Sequence, residues 1–502
     1  MLKLLNNQKL RKIWRQILVP FFIMALYPTI ALAGQTDATK VVPEPSLSLP
    51  VPGVTYNDPA FGTPTVRLLD AKASGYGMMV PFYSQLQAWN ADMTMILVFT
   101  TSMGYTILDA QNFQKLHDVD FDYPAWGGGF RWSPTEPTLL YYTGGDCTSG
   151  IGCKADDDGQ QCSDPVLRRY RLARQGNTVT ARRELLSCFT EYSEILRDQS
   201  FEELSDDGRY IALVGRRKDN GRFDIFSFDV LSKQKGSAAS FNTDPDWAGM
   251  SPSGQHVVVN WGVPVYLSPA PAYREDGRYQ GVEAFLRNTM AYAGKVAVAS
   301  GHGDLGKDPQ GNDVYVQTYA NTQRFLGDSH YIVMSRIPDG IIYDSAGRVN
   351  ETVTLGQKHT VPLLKVDWEH NMHISCRNKV GQFCAVSIYI ADSGNANGWQ
   401  PFEREIFKIY LDSLDTSPHV DRLAHHRSKP YAYNSDSCSN LNYFAQPHAT
   451  VKPDGSQIIY GSNWGRICDL TDPVDPMILT ISSGGPPSDI IAPKSPSGLQ
   501  VK

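Results

Sequence analysis

A short turn motif recurs along the chain and constrains its fold more than any other feature. Near the C-terminus it reads HATVKPDGSQIIYGS, in which His448 stands ahead of a Pro-Asp-Gly turn and an apolar strand pattern follows. Proline presets φ to about −65° and glycine accepts a positive φ, and a tight connection needs both of these backbone angles. Short strands in which apolar and polar residues alternate, on either side of such a turn, predict a β-hairpin.

Further copies of this pattern follow one another at intervals of roughly 40 to 70 residues. Helical periodicity is nearly absent between them, which favours the blades of a β-propeller over a helical solenoid. We therefore predict an all-β protein with a single seven-bladed β-propeller. A β-sandwich with a second domain is the alternative, but it does not explain the recurring turn. The seven leading positions are Gln87, Phe130, Phe201, Trp247, His302, His373 and His448.

The domain boundaries follow from composition and from the first strand-like segment. The stretch PTVRLLDA, residues 64–71, precedes the first full copy and is predicted to close the ring as an N-terminal strand in the last blade. The propeller is predicted over residues 60–485, after a Pro-rich linker at residues 34–59 and before a flexible tail at residues 486–502.

The first 33 residues have the pattern of a secretory signal peptide. Basic residues precede the apolar run ILVPFFIMALYPTIALA, which ends in Ala31-Leu32-Ala33, a small-x-small cleavage site. An uncleaved membrane anchor is the alternative, and Pro20 and Pro28 argue against it because proline interrupts a continuous helix. We expect the mature chain to be exported to the periplasm or outside the cell, and not to span a membrane.

The eight cysteines are therefore expected to lie in an oxidising compartment. Cys376 and Cys384 flank a predicted hairpin, and we predict that they form one disulfide. Cys438 and Cys468 flank the first hairpin of the last blade and are predicted to form another. The sequence leaves the pairing of the remaining four open. These are Cys147, Cys153, Cys162 and Cys188.

Net charge limits the ligands that the chain can bind. A formal charge of −6 and a sequence pI near 6.0 argue against nucleic acid as the main ligand. An acidic oligosaccharide remains compatible, because a local basic patch can coexist with a negative net charge.

Four longer segments resemble oligogalacturonate lyases and their propeller relatives, and the turn resembles that of the Tol-type propeller repeat. The resemblance extends over about residues 60–482 and implies a β-propeller. The four segments are YSQLQAWNADMTMILVF from Tyr83, GHGDLG from Gly301, HISCR from His373 and QPHATVKPDGSQIIYGSNWG from Gln446.

The resemblance also implies a metal site at one mouth of the central channel. In these lyases a histidine-rich set that includes a glutamine holds the ion, which implies His373, Gln446 and His448 as ligands of a divalent ion such as Mn²⁺. The lyase segment contains more histidines than this chain, which has Gln446-Pro447-His448. For each histidine the alternative is a neutral, hydrogen-bonded channel residue that bridges two blades.

Further residues are predicted to surround this mouth. His302 and Arg377 are the candidates for catalysis, as a base and as a partner of the uronate carboxylate. Each has a structural alternative, because His302 could pair with Asp304 within its turn and Arg377 could pair with a nearby acid. Gln87, Arg131 and Trp247 are predicted to bind substrate, because they lead other blades. His370, His425 and His426 are predicted to be ordinary surface or loop residues.

Two functions of different classes fit these features. The first is an exported, monomeric propeller whose mouth, lined by His, Trp and Arg, binds a carbohydrate or a protein. The alternative is a polysaccharide lyase that cleaves uronate-containing oligosaccharides by metal-assisted β-elimination. Convergence of His302, His373 and His448 would favour the enzyme, and dispersed or mutually satisfied histidines would favour the binding protein.

Overall fold

The structure is a computed structural model, and the described residues all belong to one propeller. They are 35–100, 104–119, 129–144, 157, 159–160, 162–196, 203–262, 274–278, 281–297, 302–319, 330–340, 360–366, 371–380, 382–390, 399–429, 443–466 and 473–481. Within these ranges there is no α-helix, and six antiparallel sheets of four strands and one of five form a ring. The predicted seven-bladed fold is confirmed. The positions proposed for the signal peptide and for the flexible tail lie outside the described residues.

Each of blades 1 to 6 uses four consecutive strands, with the first strand innermost. Blade 1 contains β3 (Met79–Val80), β4 (Met95–Thr100), β5 (Gly104–Asp109) and β6 (Lys115–Val119); blade 2 contains β7 (Arg131–Trp132), β8 (Leu139–Gly144), β9 (Val166–Gln175) and β10 (Thr178–Cys188); blade 3 contains β11 (Tyr192–Ile195), β12 (Tyr210–Arg217), β13 (Phe223–Asp229) and β14 (Gln234–Phe241).

The next three blades repeat this order. Blade 4 contains β15 (Trp247–Met250), β16 (His256–Asn260), β17 (Val282–Leu286) and β18 (Tyr292–Ala297); blade 5 contains β19 (Gly303–Lys307), β20 (Asp313–Tyr319), β21 (His330–Arg336) and β22 (Thr360–Val366); blade 6 contains β23 (Asn371–Ser375), β24 (Phe383–Ile390), β25 (Glu405–Tyr410) and β26 (Val420–His425).

Blade 7 combines strands from the N-terminal and the C-terminal parts of the propeller in one sheet. A 3₁₀ turn at Tyr443–Ala445 precedes β27 (Thr450–Val451), β28 (Gln457–Ser462) and β29 (Asp475–Thr480), and β2 (Pro64–Arg67) and β1 (Thr55–Asn57) complete the sheet. In β2, Thr65 pairs with Leu479 and Arg67 with Met477. The predicted N-terminal strand therefore closes the ring, and a closed ring leaves the sheet edges protected.

The recurring turn has the backbone geometry that the sequence predicts. Gly208, Gly254, Gly311 and Gly455 adopt φ values of 71°, 70°, 82° and 72°. In each case the glycine N–H donates to the carbonyl three residues earlier, over 2.7–2.9 Å. Blade 1 has Met93 at the same place, with φ 61° and the equivalent bond to the Asn90 carbonyl.

The middle strands of the blades are buried on both faces. All six residues of β4 are buried, as are four of the five in β16. The sequence predicts strands that alternate between apolar and polar faces, and this is wrong for these strands. Each blade packs between two neighbours, so both faces of its middle strands belong to the core.

An extended segment, residues 35–54, lies against blades 6 and 7 within the range predicted to be a linker. Arg422 Nη1 donates to the carbonyls of Asp37 and Lys40, at 3.0 and 2.5 Å. The indole N–H of Trp464 donates to the carbonyl of Leu47 at 3.0 Å. The segment is thus fixed to the propeller by hydrogen bonds from buried or half-buried side chains.

Two disulfides occur in the described residues. Cys376 is bridged to Cys384 as predicted, with Cα atoms 4.3 Å apart. Cys162 is bridged to Cys188, which settles one pairing that the sequence leaves open. The predicted Cys438–Cys468 bridge lies outside the described residues. The two bridges indicate folding in an oxidising environment. In the described ranges, no helix combines the length and the apolar character needed to cross a bilayer.

Candidate functional site

Three histidines from consecutive blades meet at the channel end where the innermost strands begin. The rings of His302 in blade 5 and His373 in blade 6 are stacked, with centroids 4.7 Å apart. The ring of His448, from the segment that leads into blade 7, lies edge-on to His373 at 4.4 Å. We call the set His302, His373, Gln446 and His448 the histidine mouth.

Gln446 links two of these imidazoles. Its Oε1 lies 2.7 Å from Nε2 of His373 and 3.3 Å from Nε2 of His448. The amide oxygen only accepts hydrogen bonds, so without an ion both Nε2 atoms carry their protons. The other ring nitrogen of His373, Nδ1, is buried without a hydrogen-bond partner. The protein alone therefore does not satisfy the His373 ring.

All three imidazoles are held in the neutral form. Burial holds the pKa of His373 well below its usual value, and the neighbouring His448 and His302 lower it further. Burial lowers the pKa of His448 to about 3, against an opposing effect of the Phe82 carbonyl. Burial also lowers the pKa of His302. The His302 side chain is nevertheless exposed, because it lines a recess that protein encloses. Neutral imidazole is the form that binds metal ions and accepts protons.

The tautomer of His302 is set by the neighbouring blade. Its Nδ1 lies 3.0 Å from the carbonyl oxygen of Met372, and a carbonyl can only accept. Nδ1 therefore carries the proton, and Nε2 presents a lone pair. The predicted alternative, a turn histidine paired with Asp304, is wrong, because Asp304 accepts instead from the Cys376 N–H at 2.6 Å and contacts Arg377.

The donor atoms at the mouth fit a small divalent ion in part. Oε1 of Gln446 lies 2.7 Å from Nε2 of His373 and 3.3 Å from Nε2 of His448, and two ligands of one ion at about 2.1 Å are separated by a similar distance. In the described part of the chain, the ring nitrogens of the three histidines do not all lie within 4.8 Å of one another. Among the described His, Cys, Asp and Glu residues, the group whose ligand atoms meet this distance is Cys162, Asp164 and Cys188. Its two thiols form a disulfide and are unavailable to a metal.

Three tyrosines surround the histidine mouth, and the sequence does not single them out. Tyr83 lies 5.1 Å from the rings of both His373 and His448. Tyr389 stacks on His373 at 4.6 Å, and Tyr443 lies 4.9 Å from His448. The nearest signal is that Tyr83 begins one of the segments that resemble the lyases. Tyr389 and Tyr443 follow no pattern that would have identified them.

The segment of residues 81–87, which we call the crossing segment, spans the channel from blade 1. Gln85 Nε2 donates to the carbonyl of Gly303 in blade 5 at 2.7 Å. Thr450 in blade 7 donates its hydroxyl to the Tyr83 carbonyl at 3.2 Å. These bonds fix Tyr83 against the histidines.

The other predicted site residues lie around the channel in different surroundings. Gln87 ends the crossing segment, and its Nε2 donates to the carbonyls of Arg377 and Val451 at 3.1 and 3.0 Å. Arg377 forms an ion pair with the buried carboxylate of Asp304, which is the structural alternative that the sequence allows. Arg131 is buried and donates to the Gly129 carbonyl at 3.1 Å.

Trp247 is also buried, between blades 4 and 5. Its ring packs against Tyr315, with centroids 5.7 Å apart, and it belongs to the apolar cluster shared by these blades. The structure brings His302, His373, Gln446 and His448 together, and leaves the indole of Trp247 in the core between two blades.

The prediction that His425 and His426 are surface or loop residues is wrong. Both are buried, with exposed fractions of 1% and 0%. Nε2 of His425 donates to the Val42 carbonyl at 2.9 Å, and Nε2 of His426 donates to the Ile388 carbonyl at 2.6 Å. They anchor the end of β26, and burial lowers the pKa of each to about 3. His370 lies outside the described residues.

Comparisons with known proteins support the fold. No protein-family model matches the chain, and no curated protein matches its sequence. A solved oligogalacturonate lyase from Vibrio parahaemolyticus is similar in structure, with a TM-score of 0.53 and 11% identity, over 90% of this chain and 99% of that one. The hydrazine synthase of Kuenenia stuttgartiensis aligns with a TM-score of 0.44 and 10% identity, over 80% of this chain and 96% of that one. The chain thus has a propeller fold like that of the lyase.

Proposed function

We propose that the histidine mouth is the active site of a lyase that cleaves uronate-containing oligosaccharides by β-elimination with a divalent ion such as Mn²⁺. The observation that carries the proposal is the convergence of His302, His373, Gln446 and His448 at one end of the channel. His373, Gln446 and His448 would hold the ion. When bound, the ion supplies positive charge that neutralises the uronate carboxylate and acidifies the C5 proton.

His302 is the general base in this proposal. Its Nδ1 proton is committed to the Met372 carbonyl, so the lone pair of Nε2 is available in the recess. Nε2 takes the C5 proton, the electron pair of that bond forms the C4–C5 double bond, and the C4–O bond breaks. The leaving oxygen takes a proton from water and departs as a sugar hydroxyl, and the proton on His302 passes to solvent. A neutral imidazole is the form required, and burial favours it.

Arg377 and Gln87 support this arrangement from the wall of the channel. Arg377 acts from the channel wall, where its pair with Asp304 and its carbonyl contact with Gln87 fix the crossing segment. Neutralisation of the substrate carboxylate therefore falls to the ion. We further propose that the chain is exported to the periplasm or beyond and acts as a monomer on an acidic oligosaccharide.

A second function, binding of a carbohydrate or a protein without chemistry, is favoured by one observation. Gln446 Oε1 already lies within hydrogen-bond distance of both Nε2 atoms, so these two ring nitrogens have a partner without an ion. The ultraviolet absorbance of unsaturated uronate separates the two functions. Purified protein is stripped with a chelator, resupplied with Mn²⁺ and assayed on polygalacturonate and on mixed uronate polymers.

Variants assign the roles within this assay. His302→Asn is expected to remove product formation and to leave Mn²⁺ retention intact, whereas His373→Ala removes both. His419→Ala is the matched control, because His419 is exposed and lies in an outer loop of blade 6 next to Asp412. Sugar binding without product in the Mn²⁺-loaded wild type would establish the binding function instead.

A further inference from the structure

Blades 4 and 5 bear polar side chains beside the histidine mouth that the proposed elimination does not use. Asp246, Asn260 and Gln317 are these residues, and we call them the blade 4–5 sector. Asp246 stands immediately before β15 as His302 stands immediately before β19. Both side chains are exposed, whereas the first residues of the strands that follow, Trp247 and Gly303, are buried.

The strand register shows that the two blades are equivalent at this level. Trp247 pairs with Asn260 in blade 4, and Gly303 pairs with Gln317 in blade 5. Asp246 and His302 thus occupy the same position in neighbouring blades, next to the channel. Asp246 also acts electrostatically on Tyr83. Burial raises the pKa of Tyr83, and nearby groups, Asp246 among them, raise it further.

The amides of this sector are directed at the interface between the two blades. Trp247 packs on Tyr315 across the interface, and directly paired or alternate residues share a face of a sheet. Asn260 therefore faces blade 5 and Gln317 faces blade 4. Asn260 Nδ2 donates to Asp246 Oδ2 at 3.1 Å and thereby orients the carboxylate.

Gln317 is the unusual member of the sector. Its side chain is 0% exposed, and neither Nε2 nor Oε1 has a hydrogen-bond partner. A buried amide without partners is destabilising, and nearly all such groups in proteins are satisfied. A side-chain amide offers one donor and one acceptor group side by side, which complements a pair of sugar hydroxyls.

The charge of the sector is negative. Asp244 is exposed two residues from Asp246, and it is the charged group that adds to burial in raising the pKa of Asp246. Arg274, the next basic residue along the chain, is buried and paired with Glu283 and Asp276. A carboxylate of a bound sugar would therefore meet repulsion in this sector, whereas hydroxyl groups would find acceptors.

We propose that the blade 4–5 sector is a specificity subsite that binds a neutral sugar through its hydroxyl groups, so that the preferred substrate carries a neutral residue next to the uronate. Asp246, held by Asn260, accepts from the hydroxyls, and Gln317 supplies a donor and an acceptor after a side-chain rotation. This inference rests on the proposed lyase function and names its substrate class. A homopolymer of uronate would place a carboxylate against Asp246.

The test compares two polymers with the full-length Mn²⁺-loaded protein. Polygalacturonate carries a carboxylate on every residue, and an alternating galacturonate–rhamnose polymer places a neutral sugar beside each uronate. The wild type is expected to have a kcat/KM at least about tenfold higher on the alternating polymer. Asp246→Asn should lower kcat/KM on that polymer about tenfold, mainly through KM, and raise it on polygalacturonate.

Two further variants separate a subsite from a structural effect. Asp412→Asn is the matched control and should change either value less than about twofold, because Asp412 is exposed in an outer loop of blade 6. Gln317→Leu should raise KM on the alternating polymer and leave polygalacturonate unchanged. A wild type that prefers polygalacturonate, or equal effects of Asp246→Asn and Asp412→Asn, would overturn the inference.

Failure of the lyase function would look different. In that case neither polymer yields unsaturated product, and calorimetric titration with a galacturonate–rhamnose disaccharide and a digalacturonate replaces the rate assay. Tighter binding of the mixed disaccharide, lost in Asp246→Asn, would support the subsite without catalysis. Equal binding of the two disaccharides would contradict it.

Discussion

Replacement of His448 by alanine tests whether the mouth is packed as the structure describes. The side chain has no exposed surface, and its ring contacts those of His373, Tyr83 and Tyr443 at 4.4, 5.1 and 4.9 Å. His448 also adopts φ 45°, in the left-handed region, and alanine would carry the same backbone strain. The difference between the two proteins therefore reflects the side chain alone.

The magnitude follows from burial and ring contacts. A buried phenylalanine replaced by alanine costs about 3–5 kcal/mol, and the smaller, more polar imidazole gains less from burial. Gln446, the hydrogen-bond partner of His448, keeps its shorter contact to His373 in the variant. Loss of the contact between Gln446 and His448 therefore adds little to the change in stability. We expect His448→Ala to lower the free energy of unfolding by about 2–3 kcal/mol. With an unfolding entropy of about 2.1 cal/mol/K per residue over roughly 400 residues, the melting temperature should fall by about 3 °C.

The assay is calorimetric melting in chelator and again with excess Mn²⁺. In chelator the variant should melt about 3 °C below the wild type, and Mn²⁺ should stabilise the wild type more than the variant, because only a site that binds an ion gains from mass action. His419→Ala serves as the control, with an expected change of about 1 kcal/mol or less, because the exposed His419 ring stacks only on Tyr410 and pairs with Asp412. Identical melting of wild type and His448→Ala in both solutions would refute the packing described.

Three further predictions concern stability. Gly455→Ala should lower the free energy of unfolding by about 2 kcal/mol, and Gly221→Ala by about 1 kcal/mol, when both are measured in urea. Both glycines have a φ near 70°, but a Cβ at Gly455 would lie 2.9 Å from Val380, whereas a Cβ at Gly221 would face open space. Equal losses in the two variants would count against this packing. Burial lowers the pKa of His426 to about 3, so the stability that its neutral ring contributes is present above about pH 6.5 and is lost as the pH falls. The loss of unfolding free energy caused by His426→Gln should therefore shrink by about 1.5 kcal/mol between pH 6.5 and 5. A loss that does not change with pH would be inconsistent with a buried neutral ring. Arg422→Met leaves the buried Glu405 without its bidentate partner and should lower the free energy of unfolding by about 3–5 kcal/mol near neutral pH. A loss below about 1 kcal/mol in chemical denaturation would contradict the ion pair.

The fold could be predicted from the sequence because its main determinant is local and repeated. Each Pro-Asp-Gly or related turn acts through its own φ angles, as Gly254 and Gly455 show, so one motif read several times defines the blades. The closing strand could be recognised because residues 64–71 form a strand-like segment that precedes the first full copy of the repeat. Strand burial could not be derived in the same way, because it depends on neighbouring blades rather than on the strand itself.

The candidate site was predictable only in part. His302, His373 and His448 meet because each leads a blade, and a position within a repeat becomes a position around the ring. The partner of Arg377 and the burial of Trp247 depend on contacts between blades that no local pattern specifies. The sequence predicts that His425 and His426 are surface or loop residues, yet residues 35–54 and the end of β24 cover them, and these contacts join distant parts of the chain.

The most direct test of the proposed function is a combined measurement of bound metal and of elimination on one protein sample. Elemental analysis of the purified chain after Mn²⁺ loading should find about one ion per chain in the wild type and in His302→Asn, and none in His373→Ala. Ultraviolet product should form only in the wild type and only with the ion present. Product that persists in chelator, or a loaded wild type that binds uronate oligosaccharides without cleaving them, would contradict a metal-dependent lyase at the histidine mouth.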